Sequence, residues 1–284
     1  MSILDTSDIK ERQRKNWAAA AEGWKRRDEI LRKGAAPVTQ RMLELSNITA
    51  GSKLLDIASG TGEPAISAAQ IVGETGHVTG TDLVDDMLNV ARDKAKLKNL
   101  SNIEFQCVDG ETLNYPSNSF DAVTIRWGLM FMPQPKKCLL AAHNALKLGG
   151  HISLACWAAP DKNPFISVLM KTLANYMTIP TPPPGSPGIF AFADPQQLQD
   201  VIKSANFTNI TLEEMVIDVL EVEDGQAYWE VVSDLAAPVM ALVQQLNETD
   251  RTHYIQEVIE VADTMKQGDT LRMQGTTWIA SADK

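Results

Sequence analysis

Apolar residues near the start of the chain recur at helical spacing. Over residues 8–33, Trp17, Ala20, Ala21, Trp24 and Leu31 fall near one face, and Arg12, Lys15, Lys25 and Arg26 fall on the other. This predicts an amphipathic helix. Met42, Leu43 and Leu45 predict a second helix over 37–48. The period then changes. Lys53–Ala58 is a short apolar run closed by a glycine cluster, which predicts a buried strand. Further short runs predict strands over 77–82, 102–108, 120–126 and 151–157, with helices over 64–72, 85–98 and 136–148 between them. In the 85–98 helix, Asp85 and Asp86 sit at the start and Lys94, Lys96 and Lys98 at the end, which matches the helix dipole. Gly149 and Gly150 are expected to stop the 136–148 helix. Beyond a Pro- and Gly-rich loop at 179–188, the pattern predicts a helix over 195–205 and a strand over 210–220. Helical stretches over 225–247 and 250–266 and a last strand over 271–281 complete the chain.

Strands alternating with helices through short connections predict an α/β fold: a mostly parallel sheet with helices on both faces. Two segments break the alternation, 160–193 and 224–269. Both follow strands, so both are expected over the sheet end where ligands bind.

The 284 residues are 44% hydrophobic and 22% charged, an ordinary globular composition that excludes a disordered or fibrous chain. The net charge of −10 disfavours nucleic acid as a main partner. No apolar run approaches ~18 residues and Met1–Lys15 is polar, so neither a membrane span nor a signal peptide is expected. Cys107, Cys138 and Cys156 form no disulfide or metal-binding spacing, which fits a reducing, cytoplasmic location.

The main chemical signal is Leu54-Leu55-Asp56-Ile57-Ala58-Ser59-Gly60-Thr61-Gly62 leading into a helix. Glycines in a tight turn after a first strand let backbone approach a ligand closely. Gly60-x-Gly62-x-x-Ala65 also fits a dinucleotide fingerprint, or simple helix–strand packing. Asp82 ends the second strand, where a carboxylate can accept from ribose hydroxyls, and Asp109-Gly110 ends the third, where one could read an adenine amino group. Turn formation and helix capping are the plainer roles for both aspartates. Asp56, just before the turn, disfavours a pyrophosphate and suits a cationic ligand.

Together LLDIASGTG, GTDLVDDML, CVDGETL, FDAVTIRWGLMFM and LKLGG resemble the class I S-adenosylmethionine-dependent methyltransferases. The resemblance is to the branch holding the ubiquinone/menaquinone-biosynthesis C-methyltransferases and natural-product methyltransferases. It covers 15–157 well and 190–284 in outline. It implies a Rossmann-like, mostly parallel seven-stranded sheet with an N-terminal helical cap (1–48) and a methyltransferase domain (49–284). Helical lid insertions are implied at 160–193 and 224–269. It also implies S-adenosyl-L-methionine as cofactor and S-adenosyl-L-homocysteine as product. By residue, it implies Asp56, Ala58, Gly60 and Gly62 at the methionine end, and Asp82 at the ribose. Leu83 and Met87 line the adenosine, Asp109, Gly110 and Glu111 meet the adenine, and Arg126 contacts the methionine moiety through its backbone. The sequence departs from the family pattern at Ala58, usually glycine, and at Leu148, usually proline.

Trp127 follows the fourth strand, Trp157 ends the fifth, and Trp17 and Trp24 share a helical face. With Tyr228 and Trp229 they are candidates for an apolar acceptor pocket, against core packing as the plainer role. His77 and His151 start strands and His143 sits on a helix, so no catalytic base is named; His253 in the second insertion is the one histidine expected near the sheet end. The expected activity is methyl transfer to carbon or oxygen of a small, largely apolar acceptor, a specialised metabolite or quinone-like compound. N-methylation, an NAD-dependent oxidoreductase and a non-catalytic cofactor-binding accessory protein stand as alternatives. Neither the acceptor nor the oligomeric state is legible.

Overall fold

The computed structural model describes residues 5–179, 183 and 185–284. Seven strands form one sheet: β1 (Lys53–Ile57), β2 (His77–Asp82), β3 (Ile103–Cys107), β4 (Phe120–Arg126), β5 (Leu146–Trp157), β6 (Thr208–Val222) and β7 (Leu271–Asp283). Their order is β3-β2-β1-β4-β5-β7-β6. β7 runs antiparallel to both β5 and β6, and the other pairings are parallel. The expected mostly parallel sheet forms. Its order reverses at β1, so the turn after β1 opens into the crevice where such sheets bind ligands.

Strand alternation places the two helical layers. Leu54 packs with α3 (Ala65–Val72), while Leu55 and Ile57 join Cys138 and Leu139 of α5 (Pro135–Ala145). α4 (Asp85–Leu97) packs on β2 and β3, and α7 (Pro195–Ser204) on β6.

Three boundaries differ from the sequence reading. The N-terminal helices divide at Arg27, giving α1 (Thr6–Arg26) and α2 (Asp28–Leu45), with Pro37 inside α2. The Gly34–Pro37 punctuation therefore does not separate two helices. Gly34 instead serves close approach, since a Cβ there would sit 2.1 Å from the Val219 carbonyl oxygen. At the other end of the sheet, α5 stops at Ala145 and β5 begins at Leu146. The β4–β5 register jumps from Phe120↔Leu146 to Ala122↔His151, and Gly149, at φ +74°, belongs to that bulge rather than to a helix end. Finally, the helical stretch from 225 divides at Ala236 into α8 (Gly225–Leu235) and α9 (Ala237–Val243), where Pro238 cannot continue the hydrogen-bond ladder.

α6 (Pro164–Leu173), α8, α9 and α10 (Glu248–Asp263) share a second core built on Leu169, Leu173, Tyr228, Tyr254 and Val258. Both irregular segments therefore contribute helices to one body. The part of 160–193 at 180–182 and 184 lies outside the described residues. Among the described residues, no helix is long and apolar enough to cross a membrane.

Candidate ligand site at the carboxyl end of the sheet

The turn after β1 is built by backbone in unusual conformations. Ala58 (φ +60°), Gly60 (φ +53°) and Gly62 (φ +106°) all lie in the left-handed region. Ala58 thus adopts, with a side chain, a conformation that usually favours glycine. Gly128 makes this possible: a Cβ on it would lie 2.3 Å from that of Ala58. Gly62 is required by packing as well, because a Cβ there would meet the Ile66 Cδ1 at 2.6 Å. Its N–H donates to the Ser59 carbonyl at 2.8 Å and closes the turn.

Asp82 joins the turn to the next loop. Its Oδ2 accepts from the Gly60 N–H and its Oδ1 from the Val84 N–H, both at 2.9 Å. The turn-forming role is therefore real, and the carboxylate still has lone pairs left to accept from a ligand. Burial pushes its pKa up to about 6, against the hydrogen bonds from those amides. Asp56 lies beneath the turn, wholly buried. Its Oδ1 accepts from the Thr124 hydroxyl at 2.6 Å, and its Oδ2 has no partner. Burial pushes this carboxyl up to about 6 too. A buried carboxylate oxygen left unpaired in the protein marks where a cation or donor can be received.

At the end of β3, Gly110 packs closely, since a Cβ would lie 2.9 Å from the Met132 Cε. Asp109 Oδ1 accepts from the Glu111 N–H at 2.9 Å. The Glu111 carboxylate is buried and accepts from the Gln134 N–H at 2.5 Å. Both acids face Lys10 of α1. Its ammonium donates to Asp109 Oδ2 at 2.6 Å and lies 2.5 Å from Glu111 Oε2.

Lys10 is one point of a strap. Gln13 donates to the Phe131 carbonyl at 2.7 Å, and Trp17 meets Phe131 edge-on at 5.4 Å between centroids. Trp17 and Trp24 then pack with Leu83, Val84 and Met87. α1 therefore lies across Leu83, Met87 and Asp109, three of the residues expected from sequence on the adenosine side. Lys10 and Gln13 were missed. The signal was present, because Lys10, Trp17 and Trp24 are spaced at sevens on one helical face.

The aromatic candidates separate into three groups, of which Trp17 and Trp24 on α1 are the first. Trp127 stacks on Trp157 at 4.4 Å, and Phe165 tilts against Trp157 at 4.7 Å. Tyr228 and Trp229 are instead in the second core of α6 and α8–α10, where Tyr228 is buried, its hydroxyl donates to the Phe165 carbonyl, and Trp229 meets Tyr254 edge-on. The histidines lie apart from the turn: His143 packs on Phe207, His151 pairs with Asp283, His77 is half-buried beside Glu104, and His253 is exposed. Arg126, the last residue of β4, is half-buried; burial pushes its pKa down while Glu63 and Asp56 oppose the shift.

The turn, the two strand-end aspartates and the sheet order are on one edge of one sheet. Against known proteins, the model of the ubiE/COQ5 methyltransferase family matches residues 37–181. The chain belongs to this family. It is 35% identical over 147 residues to the ubiquinone/menaquinone biosynthesis C-methyltransferase UbiE of Ectopseudomonas mendocina, covering 51% of this chain and 57% of that protein. It is 36% identical over 135 residues to UbiE of Pseudomonas putida (strain GB-1), covering 47% and 53%. The chain spans about half the length of the curated relatives it matches. The family match ends at 181, so α7–α10 and β6–β7 lie beyond it. The YcgJ protein of Bacillus subtilis shares the fold, with a TM-score of 0.56 at 16% identity over 88% of this chain and 99% of that one.

Proposed function

We propose that the protein is an S-adenosylmethionine-dependent methyltransferase acting on carbon or oxygen of a small, largely apolar acceptor. The observation that carries this reading is the turn after β1 tied to Asp82, with the unpartnered Asp56 oxygen beneath it. These residues fit the cofactor. Asp82 would hold the ribose, Asp109 the adenine amino group, Ala58–Gly62 the methionyl end, and Asp56 would face positive charge. When bound, the sulfonium supplies an electrophilic methyl group. A dinucleotide fits less well, because Asp56 would meet pyrophosphate with a buried carboxylate.

The chain's own contribution is orientation and exclusion of water. Trp127 stacked on Trp157, with Phe165 tilted against them, is read as the aromatic side of the acceptor pocket, suited to an apolar ring, quinone-like or of specialised metabolism. α1 is read as the cap, while α2 packs on β4, β5 and β6 as part of the helical layer. α6 and α8–α10 are read as the lid of a methyltransferase domain over 49–284. With the histidines lying apart from the turn, proximity and desolvation carry the reaction.

The test is incubation of the purified chain with source-cell extract and trideuteromethyl-labelled cofactor, followed by mass spectrometry. An enzyme-dependent labelled small molecule supports the reading, and fragmentation locates the methyl group. A chain stabilised against heat by NADH and not by S-adenosylhomocysteine overturns it.

A further inference from the structure

Arg26, Arg27, Arg41 and Arg92 each meet a carboxylate. Arg126 does not. Among the described residues its one hydrogen-bond partner is the Thr39 hydroxyl, 2.5 Å from Nη1, and its guanidinium carbon lies 5.2 Å from the centroid of the Trp127 ring. A guanidinium carries five N–H donors in a planar fork that matches a carboxylate. Thr39 and Trp127 hold that fork in place and leave most of its donors unspent.

Where the fork lies gives this meaning. Thr124 and Arg126 are two apart on β4, so they share a face of the sheet. Thr124 on that face donates to Asp56, its cross-strand partner on β1. The guanidinium therefore lies one step further toward the carboxyl end than the unpartnered Asp56 oxygen, beside the turn after β1. It opens onto a cleft of about 660 Å³ between α2 and α3, walled by Arg32, Ala36, Thr39, Glu63 and Ser67. A carboxylate entering this cleft would find the guanidinium of Arg126 on its wall, with Arg32 and Lys98 as the other cations there. A positive group on the same ligand would meet Glu63.

We propose that Arg126, positioned by Thr39, is a carboxylate-binding residue at the sheet end. Two carboxylates are available to it: the amino-acid carboxylate of the proposed cofactor, or a carboxylate on the acceptor. The first source rests on the methyltransferase reading, and the second does not.

The experiment is calorimetry on the full chain with four probes, comparing the wild type with Arg126→Gln and Arg126→Lys. S-adenosylhomocysteine is paired with methylthioadenosine, which lacks the amino-acid tail. With S-adenosylhomocysteine present, 1-naphthoate is paired with 1-naphthamide. Arg126→Gln is expected to weaken one carboxylate probe about tenfold or more while its uncharged or tail-less partner stays within about twofold. Arg126→Lys is expected to recover part of the loss, since charge is kept and the fork is not. A loss confined to S-adenosylhomocysteine assigns the cofactor, and a loss confined to naphthoate assigns the acceptor. Both carboxylates bound within about twofold of wild type overturn the proposal, as does a wild-type chain that binds neither. Thr39→Val serves if Arg126→Gln does not fold; it is expected to weaken the same probe more mildly. Failure of the wild type to bind either adenosine probe counts against the methyltransferase reading instead, and the naphthoate pair still decides Arg126.

Discussion

Two carboxyls with raised pKa values make separate demands on pH. In the proposed ribose contact Asp82 is ionised, and burial pushes its pKa up to about 6. Affinity for S-adenosylhomocysteine is therefore expected to hold above pH 7 and to fall as pH drops through about 6. Asp82→Asn should bind weakly with a flatter profile; calorimetry at pH 5.5 and 7.5 checks this. Asp56 is a stability question. Its folded value of about 6 exceeds the unfolded value of about 3.9, so the folded state binds the proton more tightly. The stabilisation is full below about pH 4 and is lost as pH rises through about 6. Asp56→Asn, a neutral stand-in, should therefore gain stability relative to wild type as pH rises from 5 to 7.5, by about 1–3 kcal/mol, read by urea unfolding at the two values. Asp56 was legible in the sequence as an acid before a glycine turn. Its unpartnered oxygen was not, because that depends on Thr124 arriving from another strand.

At the scale of elements, α1 carries the most tertiary information. Its amphipathic stripe was legible, and so was a cover at Trp17 and Trp24. Its length was not: Arg27 ends α1 by pairing with Asp234, which is 207 residues away in sequence. No local pattern encodes such a contact. Lys10→Met should loosen the amino-terminal end of α1 by removing a partly buried pair worth about 1 kcal/mol, raising amide exchange over residues 6–17 about fivefold. Exchange in β1 and β4 should not change. Equal acceleration throughout the chain would mean that Lys10 supports the whole fold rather than the strap. The β4–β5 bulge shows a further limit of reading elements locally. Gly149 and Gly150 carry the same signature whether they end a helix or kink a strand, and only the pairing with β4 distinguishes the two.

Across the whole molecule, the mostly parallel sheet and its first five strands along the chain were legible because each βα unit is local and punctuated by short turns. The body formed by α6 and α8–α10 was visible only as two stretches that broke the rhythm. That they form one core was not readable, since Tyr228 and Tyr254 meet α6 residues far earlier in the chain. Both hydroxyls donate to carbonyls there, at Phe165 and Leu169. Tyr254→Ala should cost about 3–5 kcal/mol, as large aromatic deletions from a core do. If the lid is a separate cooperative unit, exchange should accelerate in α6, α8 and α10 before β1–β5. A single uniform transition would make the two cores one unit.

The double anchorage of α1 has a thermodynamic consequence. One end is held at Asp109 through Lys10, and the other at Asp234 of α8 through Arg26 and Arg27. Gly23 brings the helix so near that a Cβ there would lie 2.3 Å from the Asp234 carbonyl oxygen. A ligand that takes Asp109 competes with Lys10 for the same carboxylate and so bears on a helix that α8 also holds. Linkage is reciprocal: whatever factor the α1–α8 contact applies to binding at Asp109, binding there applies to that contact. The order in which two ligands arrive can then be set by one helix that need not touch the second of them.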